Sequence, residues 1–421
     1  MDYFEYKNRE LYVDEVSTRE IASSVGTPFY VYSQRSIEEN YKRFSNGFSD
    51  LNFSISYAMK ANSNQAVLKI LGNLGAGMDV VSGGEYWRAR SAGIQGDCIV
   101  FSGVGKTSNE IQLAIKNGVK QFNVESEPEL LEISRIASEM NLTVPVTIRV
   151  NPDVDAKTHS KISTGKSQNK FGIPLVNVRE IYRVAASLSS IKIVGIDVHI
   201  GSQILDLEPY RVAFLKIRKL ALDLRLDGHE ISRIDLGGGL GIDYGLKNQK
   251  IPSHSEYSEL VVEIFKDLDC EIELEPGRWI VGNSGLLITS VIYSKSGEER
   301  DFLIVDAAMN DFVRPALYDA HHEIIPISET SERSSCSLFD IVGPVCETGD
   351  TFAIQREMAE SKKNDLLAFK SAGAYGAVMA SEYNSRPLIP EVLVNGNKFE
   401  IIRPRPTIQE IIDRDQIPSW L

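Results

Sequence analysis

From about residue 50 onward, short runs of β-branched and aromatic residues alternate with longer stretches in which apolar residues recur every three or four positions. A period of two marks a strand, and a period near 3.6 marks a helix. The strand pattern falls at Ser54–Lys60, Gly77–Ser82, Cys98–Gly103, Gln121–Ser126, Val144–Asn151, Ile193–Ile200, Arg233–Gly239 and Glu271–Gly277. The helical pattern lies between these runs, at Gln65–Leu74, Glu85–Ala92, Asn109–Asn117, Pro128–Met140, Val176–Leu188, Pro209–Leu226 and Tyr257–Leu268. An amphipathic stretch at Ser36–Phe48 precedes the first strand. Eight β-α repeats over roughly 240 residues match the size of a (β/α)8 TIM barrel. A doubly wound sheet is the architectural alternative.

After Gly277 the pattern changes. Strand-like runs dominate, at Leu286–Tyr293, Asp301–Val305, Ser337–Val342, Asp350–Ile354, Asp365–Phe369 and Glu391–Val394. Turn signals such as Lys-Ser-Gly, Thr-Gly-Asp and Val-Asn-Gly-Asn separate them. Thr27–Tyr32 is a further strand-like run near the N-terminus. The expected organisation is therefore an N-terminal segment, 1–35, that joins a mostly β domain at 281–421, with the α/β barrel at 36–280.

Composition narrows the class. The chain has 421 residues, which fits two or three domains or one large barrel plus a smaller unit. Acidic residues number 58 and basic residues 45, for a formal charge of −13. A field of that sign opposes nucleic acid and anionic membrane, and no basic stripe offsets it. The four cysteines, Cys98, Cys270, Cys336 and Cys346, are too few and too scattered for a disulfide framework, and none has C-x-x-C spacing. The start, Met-Asp-Tyr-Phe-Glu-Tyr-Lys, has no apolar signal region, and no apolar run approaches membrane-spanning length. A cytoplasmic location is expected.

The candidate chemistry lies at the strand ends. In a barrel these ends converge on one face, where active sites form. Lys60 closes the first strand run, Asp79 and Ser82 the second, and Glu125 the fourth. Arg149 and Asn151 lie on the fifth, His199 on the sixth and Gly237-Gly238-Gly239 on the seventh, while the eighth ends in Glu275-Pro-Gly-Arg278. A strand-end lysine ordinarily snorkels into solvent. Held in place with a lowered pKa, it becomes a nucleophile toward carbonyls. Three glycines let a backbone approach an anion closely, or simply make a tight turn. Neither G-x-G-x-x-G nor a P-loop is satisfied, because Ile242 and Ser160 occupy positions that need glycine. The phosphate position after strands seven and eight of a barrel remains, with Arg278 supplying positive charge. A lysine amine, a phosphate cradle, a strand-end carboxylate at Glu275 and an imidazole at His199 are together what pyridoxal 5'-phosphate requires.

The motifs Tyr57-Ala-Met-Lys60-Ala-Asn62, His199-Ile-Gly-Ser-Gln203, Asp235-Leu-Gly-Gly-Gly239-Leu-Gly241, Glu275-Pro-Gly-Arg278 and Gly343-Pro-Val-Cys346-Glu347-Thr-Gly-Asp350, in this order, resemble those of the fold-type III pyridoxal phosphate decarboxylases. The resemblance runs from about Thr27 to Pro390. It implies that Lys60 carries the cofactor, that His199 stacks on its ring and that Glu275 partners its ring nitrogen. It implies further cofactor contacts at Asp79, Ser202, Gly237, Gly238, Gly239, Gly277, Arg278 and Tyr375. Substrate contacts are implied at Arg278, Arg314, Tyr318, Glu347 and Tyr375. Cys346 resembles the family's proton donor, supplied by the partner subunit of a homodimer, and residues 162–172 resemble its mobile active-site loop. Thr348 stands where the family usually has serine, which preserves a hydroxyl.

The implied reaction is α-decarboxylation of an amino acid. A far-end ammonium and carboxylate need both a cation and an anion or hydroxyl, which Arg314, Glu347 and Tyr318 could supply. That logic favours meso-2,6-diaminopimelate, giving L-lysine and carbon dioxide, which the resemblance implies is the last step of bacterial lysine synthesis. Ornithine, lysine and arginine, which lack the distal carboxylate, are the alternative substrates. A racemase on the same fold needs a second catalytic base, typically tyrosine. A non-catalytic binding relative would lose Lys60 or Cys346. His321-His322-Glu323 is the visible candidate for a metal site, but adjacent residues of a strand face opposite ways, so no metal is expected.

Overall fold

The computed structural model describes residues 3–421 except 157, 158, 160, 162, 163, 166, 167, 247, 248 and 330–335. Two compact units divide the chain. One contains Glu38–Ile242 and Gln249–Ile280, and the other contains the chain up to Ile37, Asp243–Asn248 and Val281–Leu421.

The first unit is a closed parallel barrel of eight strands. They are β1 (Phe53–Ala58), β2 (Gly77–Val80), β3 (Ile99–Phe101), β4 (Gln121–Val124), β5 (Val144–Asn151), β6 (Ile191–Asp197), β7 (Arg233–Asp235) and β8 (Glu271–Leu274). β8 pairs in parallel with β1 through Ile272↔Phe53 and Leu274↔Ile55, which closes the ring and excludes the open doubly wound sheet. Helices α1 (Gln65–Asn73), α2 (Gly83–Ser91), α3 (Ser108–Lys116), α4 (Glu127–Glu139), α5 (Val178–Ser187), α6 (Glu208–Leu226) and α7 (His254–Phe265) fill the connections.

Local chemistry starts several of these helices. Ser82 accepts from Glu85 N–H at α2, and Ser126 accepts from Glu129 N–H at α4. Thr107 with Glu110 and Ser253 with Glu256 form reciprocal caps at α3 and α7. Each satisfies amides the helix leaves open and contributes about 1 kcal/mol.

Except for β5, which keeps its predicted bounds Val144–Asn151, the strands end earlier than the pattern predicts. β1 stops at Ala58, and Lys60 lies on the 3-10 turn Met59–Ala61. β6 stops at Asp197, two residues before His199, β7 at Asp235 and β8 at Leu274. Past β6 and β7 the chain keeps an extended course, with Val198 N donating to Asp235 O and Leu236 N to Glu273 O, both at 2.9 Å. Lys60, His199 and Glu275 therefore sit on the first loop residues, while Asp79 stays on the ladder of β2.

The second unit is mostly β. Its long sheet runs in the order Thr351–Ala359, Cys336–Val342, Asp301–Val305, Gly285–Ser296, Phe29–Ser33, Glu391–Asn395, Lys398–Arg403. Leu366–Phe369 pairs with Gly285–Ser296 and with Ile324–Pro326. Phe29–Ser33 is wholly buried and sits inside this sheet, antiparallel to Gly285–Ser296 and parallel to Glu391–Asn395. A core of Leu11, Val13, Phe29, Val31, Leu286, Ile288, Val392 and Val394 unites the N-terminal and C-terminal parts of the chain. Among the described residues no helix is long and apolar enough to cross a membrane.

Candidate active site

The barrel mouth gathers Lys60, Asp79, His199, Glu275 and Arg278. Lys60 Nζ lies 3.0 Å from Asp79 Oδ2, with the Asp79 carboxyl shut off from solvent and the lysine side chain 38% exposed. The lysine is thus tied to a buried anion at the end of β2 and does not simply snorkel away. Asp79 Oδ1 and Asp197 Oδ1 are buried without a hydrogen-bond partner among the described residues.

Glu275 is buried, and its pKa is pushed well above the carboxylate range by burial and by Asp235, Asp79 and Asp197, with Lys60 opposing. Burial and Asp235 likewise hold Asp197 high, with Arg149 opposing. Arg149 is itself engaged, with Nη1 on Glu125 Oε1 at 2.5 Å. Four buried carboxyls, Asp79, Asp197, Asp235 and Glu275, thus face one another at the mouth, with Lys60 and Arg149 as the cations that oppose them. A cationic ring N–H brought to Glu275 would relieve that imbalance, so the residues fit a pyridinium.

Burial and the charges of Arg149 and Lys60 drive the His199 pKa well below its ordinary value, so the ring is neutral. Its Nδ1 accepts from Gly238 N–H at 3.2 Å, and Thr164 Oγ1 donates to its carbonyl at 2.9 Å. A neutral, oriented imidazole suits stacking on an aromatic ring.

The glycine triplet behaves differently from a simple amide cradle. Gly237 N–H donates to Asp235 Oδ1 at 3.0 Å and Gly238 N–H to His199, so both are occupied within the protein. What the triplet provides is room. Gly237 and Gly239 have φ of +63° and +103°, and a Cβ on Gly238 would stand 2.2 Å from Glu275 O. Arg278 Nη2 donates to Ser202 Oγ at 3.0 Å, which brings a cation and a hydroxyl together for a phosphate. A Cβ on Gly277 would come within 3.0 Å of Ala58 O, so glycine there keeps the loops after β8 and β1 close.

Of the loop 162–172, residues 162, 163, 166 and 167 lie outside the described residues. Its far end is held by Gly172 N–H on Glu125 Oε2 at 2.8 Å and by Asn151 Nδ2 on Phe171 O at 3.1 Å.

The other expected residues belong to the β unit. Arg314 is buried, donates Nε to His322 Nε2 at 3.2 Å and lies 5.1 Å from the Tyr244 ring centre. Tyr318 is half-buried at the end of the short helix Arg314–Tyr318. Cys346 and Glu347 are exposed in the turn between Cys336–Val342 and Thr351–Ala359. Asp350 shapes that turn by accepting from Val345 N–H at 2.7 Å and Met309 N–H at 2.6 Å. Tyr383 OH donates to Glu347. Tyr375 is held at φ +56°, an uncommon conformation for an aromatic residue. The His321-His322-Glu323 cluster does not converge. His322 bonds Arg314 and Lys370 O, His321 bonds Arg356, and Glu323 pairs with Lys370.

Sequence reading missed the polar lining beneath the mouth. Gln121, Asn123, Thr147, Arg233 and Asp235 are joined by hydrogen bonds inside the barrel. The signal was present in Gln121-Phe-Asn-Val and Glu271-Ile-Glu-Leu-Glu275, where polar and apolar residues alternate. Alternation ordinarily means a solvent face. Here helices cover the outside, so the apolar positions face them and the polar ones face inward.

Comparison with known proteins agrees with this geometry. Residues 34–282 match the family model described as pyridoxal-dependent decarboxylase, pyridoxal binding domain. The chain is 45% identical to a diaminopimelate decarboxylase of Aquifex aeolicus over 411 residues, covering 98% of the chain and 97% of the relative. It is 44% identical to that of Zymomonas mobilis, covering 99% of each. Among solved structures, the diaminopimelate decarboxylase of M. jannaschii in complex with L-lysine superposes with a TM-score of 0.94 at 35% identity, covering 100% of the chain and 99% of the neighbour. The Helicobacter pylori enzyme complexed with L-lysine gives a TM-score of 0.90 at 41% identity, covering 94% of the chain and 98% of the neighbour.

Proposed function

We propose that this chain, which belongs to the diaminopimelate decarboxylases of the pyridoxal-dependent decarboxylase family, converts meso-2,6-diaminopimelate to L-lysine and carbon dioxide. The observation that carries the reading is the barrel mouth, where the Lys60 amine lies 3.0 Å from buried Asp79, beside a carboxyl cluster short of positive charge around Glu275.

Lys60 would hold the aldehyde of pyridoxal 5'-phosphate, Glu275 its ring nitrogen and His199 its ring face, while Ser202, Gly239 and Arg278 would hold its phosphate. The bound cofactor supplies an electron sink for the pair left when the bond to the α-carboxylate breaks. The protein's own tasks are proton placement and binding. Asp79 Oδ2 is the acceptor beside Lys60 Nζ, placed to take the proton that the amine must shed before it attacks a carbonyl. Glu275, as a carboxylate, keeps a proton on the ring nitrogen. The Cys346 thiol delivers the proton that replaces carbon dioxide on the α-carbon. Arg314 grips the distal carboxylate, with Tyr318, Glu347 and Tyr375 completing the substrate contacts and Arg278 near the reacting end.

The active form is a homodimer in which the partner supplies Cys346 and Glu347, and it works in the cytoplasm. Excess acidic charge supports a small-molecule substrate over nucleic acid or membrane.

The deciding assay offers the purified protein meso-diaminopimelate, ornithine, lysine and arginine separately and measures carbon dioxide and amine products. Lysine formed from diaminopimelate is the expected result, and faster turnover of ornithine would overturn the assignment. Borohydride treatment of the yellow protein should bleach its visible band and fix the label on Lys60. A label on any other lysine removes Lys60 from its role.

A further inference from the structure

The interior of this barrel is polar where such barrels are ordinarily filled by branched apolar side chains. Arg233, at the N-terminal end of β7, holds Glu271 Oε2 with Nε and Nη2 at 2.9 and 2.8 Å. Its Nη1 donates to Gln121 Oε1 at 2.6 Å. Gln121 Nε2 donates to Asn123 Oδ1 at 2.8 Å and to Asp235 Oδ2 at 3.2 Å. Asn123 Nδ2 stands 3.1 Å from both Asp235 Oδ2 and Ser102 Oγ and 3.4 Å from Glu275 Oε1, so its two hydrogens are shared among three acceptors. The hydrogen bonds thus run without a break from the N-terminal end of the barrel to Glu275.

This chain of bonds has a direction. A guanidinium donates and never accepts. The Gln121 atom that meets Arg233 must therefore be its carbonyl oxygen, which turns the Gln121 nitrogen toward Asn123. The Asn123 atom that meets that nitrogen must in turn be oxygen, and it also accepts from Thr147 Oγ1 at 2.6 Å. The Asn123 nitrogen is then left facing Asp235 and Glu275. An arginine at one end of the barrel thereby turns the nitrogen of Asn123, and not its oxygen, toward the carboxyl at the other. That carboxyl needs a donor, because burial and three neighbouring acids oppose its ionisation.

We propose that Asn123, aligned by Gln121 and Arg233, is a positioning residue for Glu275, and that this directed series of donors sets how firmly the protein grips the protonated ring nitrogen of its cofactor. The inference rests on the reading of Glu275 as the ring-nitrogen partner.

The test uses the full-length protein stripped of cofactor and titrated with pyridoxal 5'-phosphate. It reads the dissociation constant, the absorption band of the bound cofactor and the thermal midpoint. Gln121→Met keeps side-chain length but removes the donor, and it is not in the set that touches the cofactor. Asn123→Ala removes the last link. A hydrogen bond to a charged group is worth enough that each should raise the dissociation constant about tenfold or more and move the band in the same direction as Glu275→Gln. Should Asn123→Ala fail to fold, Gln121→Met decides alone. If Glu275→Gln weakens binding while Gln121→Met and Asn123→Ala match the wild type, the proposal is overturned and the role of Glu275 stands. If Glu275→Gln itself leaves affinity and spectrum unchanged, the role of Glu275 falls and the proposal falls with it.

Discussion

At the scale of single residues, proton placement governs both chemistry and stability. His254 packs against Phe44, Phe48 and Trp279, and burial pushes its pKa down to about 4. In the unfolded chain it takes up a proton near 6.5, but in the fold only near 4, so the unfolded state binds more protons between those values. Stability from this group is fully present above pH 6.5 and is lost as pH falls toward 4. Thermal midpoints measured across that window should fall less steeply in His254→Leu, and an equal slope in both proteins would assign the acid sensitivity elsewhere. Cys346→Ala should leave cofactor bound while turnover drops by about 100-fold or more, the range expected for a lost general acid. Unchanged turnover would exclude the thiol. Lys60, His199 and Glu275 were legible because motif and strand end coincide. Asn123 and Arg233 were not, because an alternating pattern does not say which of its faces meets water.

At the scale of elements, the eight strands were legible from periodicity, but their ends were not. Several chain segments leaving the barrel make a further extended hydrogen bond before they turn, as Glu275 N does to Gly237 O at 2.7 Å. Local pattern cannot separate that bond from the ladder itself. The contact between β6 and β7 depends on one missing side chain. A Cβ on Gly195 would lie 1.8 Å from Arg233 O, a backbone atom that cannot yield without opening the pairing Gly195↔Arg233. Gly195→Ala should therefore destabilise the protein by about 3 kcal/mol, read from denaturant midpoints. A loss near zero would mean the strands can slide apart without penalty.

At the scale of the whole molecule, the sequence announced a barrel and a β unit but not the strand order of the second. Phe29–Ser33 finds its partners at Gly285–Ser296 and Glu391–Asn395, and nothing local to residue 29 encodes so distant a pairing. The proposed sharing of active sites has its own test. Lys60→Ala and Cys346→Ala, each inactive alone, should regain about a quarter of wild-type activity when mixed and allowed to exchange subunits. Half the dimers then carry one intact site of two. No recovery despite proven exchange would place both residues in one protomer's site.

The position of Phe29–Ser33 has a consequence for the order in which the protein is made. This apolar strand leaves the ribosome early, yet the segment that flanks it in parallel, Glu391–Asn395, is translated some 360 residues later. At ordinary elongation rates the delay is on the order of 20–70 s. The barrel segments, all encoded by Ile280, can be completed within it. During that interval Phe-Tyr-Val-Tyr-Ser is an unsatisfied edge open to any passing strand. A nascent chain halted before residue 391 should accordingly accumulate as chaperone-bound or aggregated material even with its barrel formed, and the newborn enzyme must be guarded longest at Phe29–Ser33.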